Sequence, residues 1–410
     1  LLENSSSLKM CRGNNNVGSN VVNQLGGAVT FYSDAGVTLG GGGNLDLNNA
    51  GGASSSTTYN LNGGTLTVPQ IIASSANGSR VFNFNGGTLK AASSGISFFA
   101  AGIATTANVR NGGAIVDTTN LNITIGQALV HSTIPGDRST DGGLFKKGSG
   151  VLTLTGVNTY TGPTLVSNGA LTVGSNGSIS DSSLISVSSG AVLNVSAVSG
   201  GFTLGSAQRL GGNGSVNGVV VNNGTIAPGL STGTFADLTL LNAPVLNGRL
   251  MMQIDRNNGS PRNDRILLPS SAIAYGGTLT VTNLGTTLQT GDTFQLISAA
   301  GYNGAFASLN LPALSSGLGW SNSLALNGRL EVVAVISVVP TNILWAVGGT
   351  NLSLQWPADH TGWRLQFQSN AFAASLSTNW FDVPGSSATN NITMPLDPMA
   401  GSVFYRLIYP

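Results

Sequence analysis

Along most of this chain apolar and polar positions alternate one by one in runs of four to eight residues. Val151-Leu152-Thr153-Leu154, Ala170-Leu171-Thr172-Val173 and Gly277-Thr278-Leu279-Thr280-Val281 are typical. Period two in Val, Leu and Thr, bounded by Gly and Asn, predicts short strands with one buried face. Helical periodicity is almost absent. The pattern predicts an all-β chain with at most one short helix.

The strands return behind a common lead, a glycine pair or an Asn-Gly. The phrase reads NLNGGTLTV at 60–68, NFNGGTLKA at 83–91 and VRNGGAIVD at 109–117, and it loosens to GSGVLTLTG at 148–156, SNGALTVG at 167–174, SSGAVLNVS at 188–196 and NNGTIAPG at 222–229. A unit recurring about every 20–25 residues is the mark of a stacked repeat architecture. The expected fold is a β-solenoid whose coils each give two or three short strands to sheets running along the rod. Glycine supplies the positive φ that corners need. The corner residues singled out are Asn62, Gly63, Gly64, Asn85, Gly86, Gly87, Asn111, Gly112 and Gly113, whose stacked asparagines are candidates for amide ladders. Between Gly112 and Gly150 the run IGQALVHSTIPGDRSTDGG reads as an excursion loop.

The organisation follows from where the pattern changes. Residues 1–19 are polar and of low complexity, an N-terminal arm or partial first coil. Residues 20–235 carry the repeats, about ten coils and a rod of roughly 50 Å at ~4.8 Å per coil. From 236 to 339 the strands lengthen and the turns carry charge, as in a β-rich cap over an open end coil. Residues 340–410 hold Trp345, Trp356, Trp363 and Trp380, four of the five tryptophans, and read as a small β-sandwich with a conventional core.

Composition sharpens this picture. Charged residues are 8% of the chain, against about 25% in an ordinary domain. The formal net charge is +1, and no basic cluster exceeds the pair Lys146-Lys147. Nucleic acid as a partner is therefore excluded on charge. A nearly neutral surface also lacks the repulsion that keeps proteins apart, so self-association is expected. Cys11 is the one cysteine, which rules out an intrachain disulfide and leaves a thiol that is unpaired or joins two chains, the unpaired reading being favoured. No apolar run is long enough for a transmembrane helix, and Leu1 onward lacks the features of a signal peptide, so an exported form would be already processed.

The stretch KKGSGVLTLTGVNTYTGPTLVSNGALTVGSNGSIS at 146–180 resembles the autotransporter-associated β-strand repeat. Gly150, Leu152, Leu154, Gly156, Asn158, Thr159, Tyr160, Gly162, Thr164, Val166, Gly169 and Leu171 carry the match. GTIAPGLSTGTF (224–235) resembles the segment that closes such arrays, and 248–298 the β segment that follows them. The last 70 residues resemble a terminal module of planctomycete and verrucomicrobial repeat proteins. The resemblance implies a right-handed parallel β-helix, bacterial, at or beyond the cell surface. Its familiar members end in a membrane barrel closing on an aromatic residue. The sequence shows no such segment and ends Ile408-Tyr409-Pro410, so it is not expected to carry itself through an outer membrane.

Candidate chemistry is sparse. Polysaccharide cleavage on a β-helix needs two or three acids together on one face. The repeat region offers Asp34, Asp46, Asp117, Asp137, Asp141 and Asp181, grouped only where Asp137, Arg138, Asp141 and Lys146 share the excursion, and a solvated loop explains them. Calcium would need a Gly-Gly-x-Gly-x-Asp type of turn. The nearest approach is GGGGNLDL at 40–47 with Asp46, a strand residue by pattern. Asp255, Arg256, Arg262, Asp264 and Arg265 form the densest charge and read as a salt-bridged hairpin. His131 and His360 are isolated. Tyr160 and Trp363 are aromatics that suit sugar stacking or core packing, and core packing is favoured.

No catalytic residue, metal ligand or cofactor is assigned. The expectation is a non-catalytic, secreted structural protein, a self-assembling subunit of a filament, sheath or surface layer, its coils stacking end to end or a strand from 1–19 or 400–410 being donated to a neighbour. The alternatives are an adhesin or binder of surface polysaccharide and, behind it, a polysaccharide lyase or hydrolase acting through Asp137 and Asp141. The expected partner is the chain itself.

Overall fold

The computed structural model describes residues 2–4, 8–10, 19–31, 43–229, 231–257, 259–371, 375–397, 399 and 401–409. Cys11, Asp34 and the extreme residue Pro410 lie outside them. The chain coils as a right-handed parallel β-helix with three faces. The first face is a 14-stranded sheet, thirteen strands of it a continuous parallel stack from Leu2–Asn4 to Ser308–Asn310. The second is a 12-stranded parallel sheet from Leu8–Lys9 to Ile297–Gly304. Thirteen strands at about 4.8 Å each span roughly 58 Å.

The third face is interrupted. Five strands stack from Ser19–Gln24 to Leu129–His131, and three more run from Phe202–Leu204 to Val245–Leu246. Leu129–His131 pairs in parallel with Thr106–Val109, so the first half of the expected excursion loop is a rung of this face. Residues 2–4 and 8–9 register on Val29–Phe31 and Leu45–Asp46, which makes them strands of a first coil. After 235 the same two sheets continue: Asp237–Leu240 stacks as before, and Arg249–Asn257, Arg265–Tyr275 and Thr278–Asn283 are the longer strands that the altered pattern marks. The end is covered by the antiparallel strands Thr293–Gln295, Leu318–Ser323 and Arg329–Ala334 and by one short helix, Leu324–Asn327. Phe294, Leu324, Leu330 and Val332 close the core there.

Alternation explains which residues go inside. Thr65–Val68, Val151–Leu154 and Ala170–Val173 each bury their second and fourth residues. Leu66, Leu89, Leu152, Leu171, Leu193 and Val216 are wholly buried in the common core. Each such side chain contributes about 1.5–3 kcal/mol. On the third face the column turns aromatic: the rings of Tyr59 and Phe82 lie 5.4 Å apart and parallel to within 4°.

Outward polar residues form columns too. The amide of Asn60 donates to Asn23 (2.7 Å), Asn83 to Asn60 (2.6 Å) and Asn108 to Asn83 (2.7 Å), a ladder across four coils. At the adjoining corner Asn85 donates to Asn62 at 2.9 Å, and its own carbonyl then accepts the Gly112 N–H at 2.9 Å. Asn111 accepts from the Arg138 N–H instead. The left-handed residue of each corner is Gly64 (φ 68°), Gly86 (φ 92°) and Gly113 (φ 76°). Gly63 and Gly112 stand where a Cβ would come within 2.5 Å of the neighbouring coil's backbone.

The repeated phrase resolves into two different corners. Asn-Gly-Gly and the Asn-Gly at 223–224 join the third face to the first. Gly150, Gly169 and Gly190 lie between the first and second faces. The uneven spacing between Gly112 and Gly150 is the step from one corner to the other, as well as an inserted loop.

The C-terminal module is a six-stranded β-sandwich. One sheet holds Leu344–Gly348, Asn351–Gln355 and Asn391–Pro395, the other Phe381–Asp382, Arg364–Asn370 and Ser402–Ile408. They close over Leu352, Leu354, Trp356 and Leu365. His360 ties it to the preceding segment, one ring nitrogen 2.6 Å from the Val339 carbonyl, and the Trp363 indole donates to Ser337.

The ladder carries a test. Asn83→Ala removes the middle rung and strands the amide of Asn108 and the carbonyl of Asn60. A loss of about 1–3 kcal/mol in urea unfolding is expected, while Asn23→Ala, at the ladder's end, should cost less. Equal effects would show that the amides act singly and not as a column.

Candidate functional site

Where the third face is interrupted, the coils at 144–182 close by side chains. Asn158 is buried and reaches both neighbours: its carbonyl accepts the Leu129 N–H at 3.0 Å, and its amide donates to Gly156 and Ser178 at 2.9 Å each. Tyr160 fills the space a strand would occupy and is 1% exposed. Its hydroxyl lies 2.7 Å from Thr164, which continues to Ser182 at 2.8 Å and on to the Gly162 carbonyl. Leu152, Leu154 and Leu171 supply the core below it. Gly150 has no room for a side chain, since a Cβ would come within 1.8 Å of the Leu121 carbonyl. The repeat residues are thus one device: a hydrogen-bonded plug that replaces a strand.

The excursion's charges are bound into this device. Asp137 is gripped by Arg110 through two bonds of 2.8 and 3.0 Å and by Ser132 at 2.5 Å. The Arg110 fork holds its carboxyl below the usual value. Asp141 is buried and accepts the N–H groups of Gly143, Thr161 and Gly162 at 2.8–2.9 Å, with His131 at 2.9 Å. Arg138 is placed on the outside and contributes only its backbone N–H, to Asn111. The two acids the cleavage reading relies on therefore spend their oxygens on the coil. Asp46 is spent likewise, on Asn48, Asn49 and Ser74. Of the other acids, Asp117 caps the turn at Thr119 and Asp181 is exposed.

Lys146 is the residue the sequence placed worst. It is wholly buried. Its ammonium donates to the carbonyls of Lys147 (2.9 Å), Gly148 (2.7 Å) and Asn168 (3.0 Å), one proton for each acceptor. Burial pushes its pKa down to about 8, with Asp117 acting against the shift.

The second charged region lies in the longer coils. Asp255 and Arg262 pair across the hairpin through Nε and Nη2, at 3.1 and 2.6 Å. Arg256 reaches Asp292 at 2.9 Å. Arg265 holds Asp237 of the preceding coil through the same two nitrogens. Asp264 is wholly buried and accepts the backbone N–H of Ala236 (3.1 Å) and Gln253 (2.8 Å). Burial pushes its carboxyl up to about 6, against the pull of those N–H groups. The salt-bridged hairpin is present through Asp255 and Arg262, while the Arg256 and Arg265 pairs reach across coils. They also border an open groove of about 710 Å³ that includes Phe235, Arg262, Arg265 and Arg329. Arg329 and Phe235 carried no sequence signal. The cue available was the coincidence of three long corner loops after residue 228.

Tyr160 and Trp363 are both buried, so neither stacks on a ligand as placed. Among the described residues no group of three or more His, Cys, Asp or Glu stands ready for a metal, and no helix is long and apolar enough to cross a membrane.

The lysine carries a pH test. The unfolded chain holds a lysine proton to about 10.5, so between pH 8 and 10.5 it binds more protons than the folded chain. The cost of burying the ammonium is complete below 8 and relieved as the pH rises through that window. Urea midpoints of wild type and Lys146→Met should therefore diverge in favour of wild type between pH 7 and about 9.5. A difference independent of pH would contradict the lowered pKa.

Residues 144–173, the segment of the plug, match the family model described as Passenger-associated-transport-repeat. The chain thus carries a repeat of autotransporter passengers, secreted or cell-surface bacterial proteins. No curated protein matches the chain.

Proposed function

We propose that this protein is a non-catalytic structural subunit of an extracellular filament, sheath or surface layer, and that copies join through the C-terminal sandwich. The passenger-type repeat supports an exported, surface-associated rod. The observation that carries assembly is the edge strand Leu344–Gly348, all five of whose residues are exposed. Leu344 is 65% exposed, Trp345 72% and Val347 54%. Edge strands of monomers are ordinarily blunted by charge, proline or a bulge. This one has no charge, no proline and a tryptophan in the open. The segment leading into it adds Val335, Ile336, Val338 and Val339, also exposed.

The opposite edge of the same sheet is Asn391–Pro395. Pairing the first edge of one copy with the second edge of the next would extend the sheet from copy to copy. Such a contact is heterologous and propagates as a fibre. A net charge of +1 leaves little repulsion to oppose it. The end cover formed by Leu324–Asn327 and its three strands disfavours coil-on-coil stacking at that end, so the sandwich edge is the better route.

Sedimentation velocity and negative-stain microscopy of the full chain test this. Concentration-dependent polymers are expected, and Val347→Lys, on an exposed edge where folding is spared, should return the chain to monomer. Monomers at every concentration, or polymers indifferent to Val347→Lys, would reject it.

A further inference from the structure

The groove in the longer coils lies at one corner of the rod. Ser189, Asn213, Phe235, Arg262 and Thr293 each stand between the first-face and second-face strands of five successive coils. The groove therefore runs parallel to the rod axis, over about 19 Å at 4.8 Å per coil. In the coil of Asn213 the corner is two residues long, and in the three that follow it widens into loops that form the walls. A channel of this direction and length suits a linear polymer.

Its chemistry is that of an anion receptor. Three arginines line it against one acid, Asp237. Arg262 spends Nε and Nη2 on Asp255, and Arg265 spends the same two on Asp237 in the groove wall, and no protein acceptor among the described residues takes Nη1 of either. The Arg262 guanidinium also rests 5.1 Å from the Phe235 ring centre. Both forks are thus held in place with donors to spare, which lowers the entropy lost on binding. Arg329, brought in by the end cover beside Gln295, has no carboxylate partner among the described residues. The exposed side chains of Asn213 and Ser189 add neutral hydrogen-bonding groups at the other end.

We propose that this groove binds an acidic polysaccharide through the carboxylates of its uronate sugars. Planar carboxylates match guanidinium forks, hydroxyls match the Asn and Ser end, and the one ring in the groove is already covered by Arg262, which leaves no platform for stacked bases. Anionic charge selects the polymer, and the axial channel selects an extended chain. The site is independent of assembly through the sandwich, and it is read on dilute protein.

Calorimetric titration of the full chain with oligogalacturonate, at low and moderate salt, tests the proposal, with dextran as the neutral and dextran sulfate as the sulfated probe. Saturable binding of oligogalacturonate, weakened by salt, is expected. Arg329→Gln and Arg265→Gln should each weaken it about tenfold or more, while Arg249→Gln, exposed on the first face outside the groove, leaves it unchanged. Unchanged thermal unfolding of the first two variants would show that they fold. Binding of dextran as strong as that of oligogalacturonate, preference for dextran sulfate, no saturable binding, or indifference to Arg329→Gln would each overturn it.

Discussion

Along the solenoid of this chain, strands find their hydrogen-bond partners in the coil before and the coil after, in parallel and largely in register. That constraint reaches every side chain, because a residue sits about 4.8 Å from its counterpart on the next coil. Leucine over leucine buries both. Asparagine over asparagine joins amide to carbonyl, as in the column from Asn23 to Asn108. Like charge over like charge repels by about 1 kcal/mol even in water. A long stack therefore selects Gly, Asn, Ser and Thr for its outer surface, and a chain with 8% charged residues is the result.

Several of the charges that remain are found where the chain leaves the stack or where an opposite charge stands on the next coil, whereas Arg80, like Lys146, gives its protons to backbone carbonyls. Arg110 meets Asp137, and Arg265 meets Asp237, each across one coil. Lys146 is wholly buried. With no carboxylate bonded to it, its three protons go to three backbone carbonyls at the corner between the first and second faces. The repeat that gives the chain its family likeness is thus the place where the regular coil is broken and rebuilt from side chains. The two surfaces proposed to meet another molecule lie at the ends of the pattern, in the widened corner of the last coils and on the unblunted edge of the sandwich.

Much of the coil was legible in particular residues. Alternation named Leu152, Leu154 and Leu171 as core, and the Asn-Gly-Gly phrase marked a corner with a left-handed glycine. The reading failed where two corners share one local signal. Gly113 and Gly169 answer the same steric need on different edges of the coil, and only the stack tells them apart. The longer asparagine ladder, through Asn60, Asn83 and Asn108, stands two or three residues before the corner asparagines, and only the register of the stacked strands shows that these residues lie over one another. Trp345 reads as core by composition and stands exposed, because a strand at the edge of a three-stranded sheet has no second sheet over it there.

By itself the sequence determined the class of fold, the period of the stack and the near-neutral surface, since these depend on local alternation, on turn sterics and on composition. Tertiary structure decided where the stack ends, that Asp137 and Asp141 are hydrogen-bonded into the coil, that Lys146 is buried, and that Arg262, Arg265 and Arg329 share one groove. Those outcomes depend on which coil lies over which. Loop lengths set that registration, and no stretch of sequence shorter than a full coil contains it.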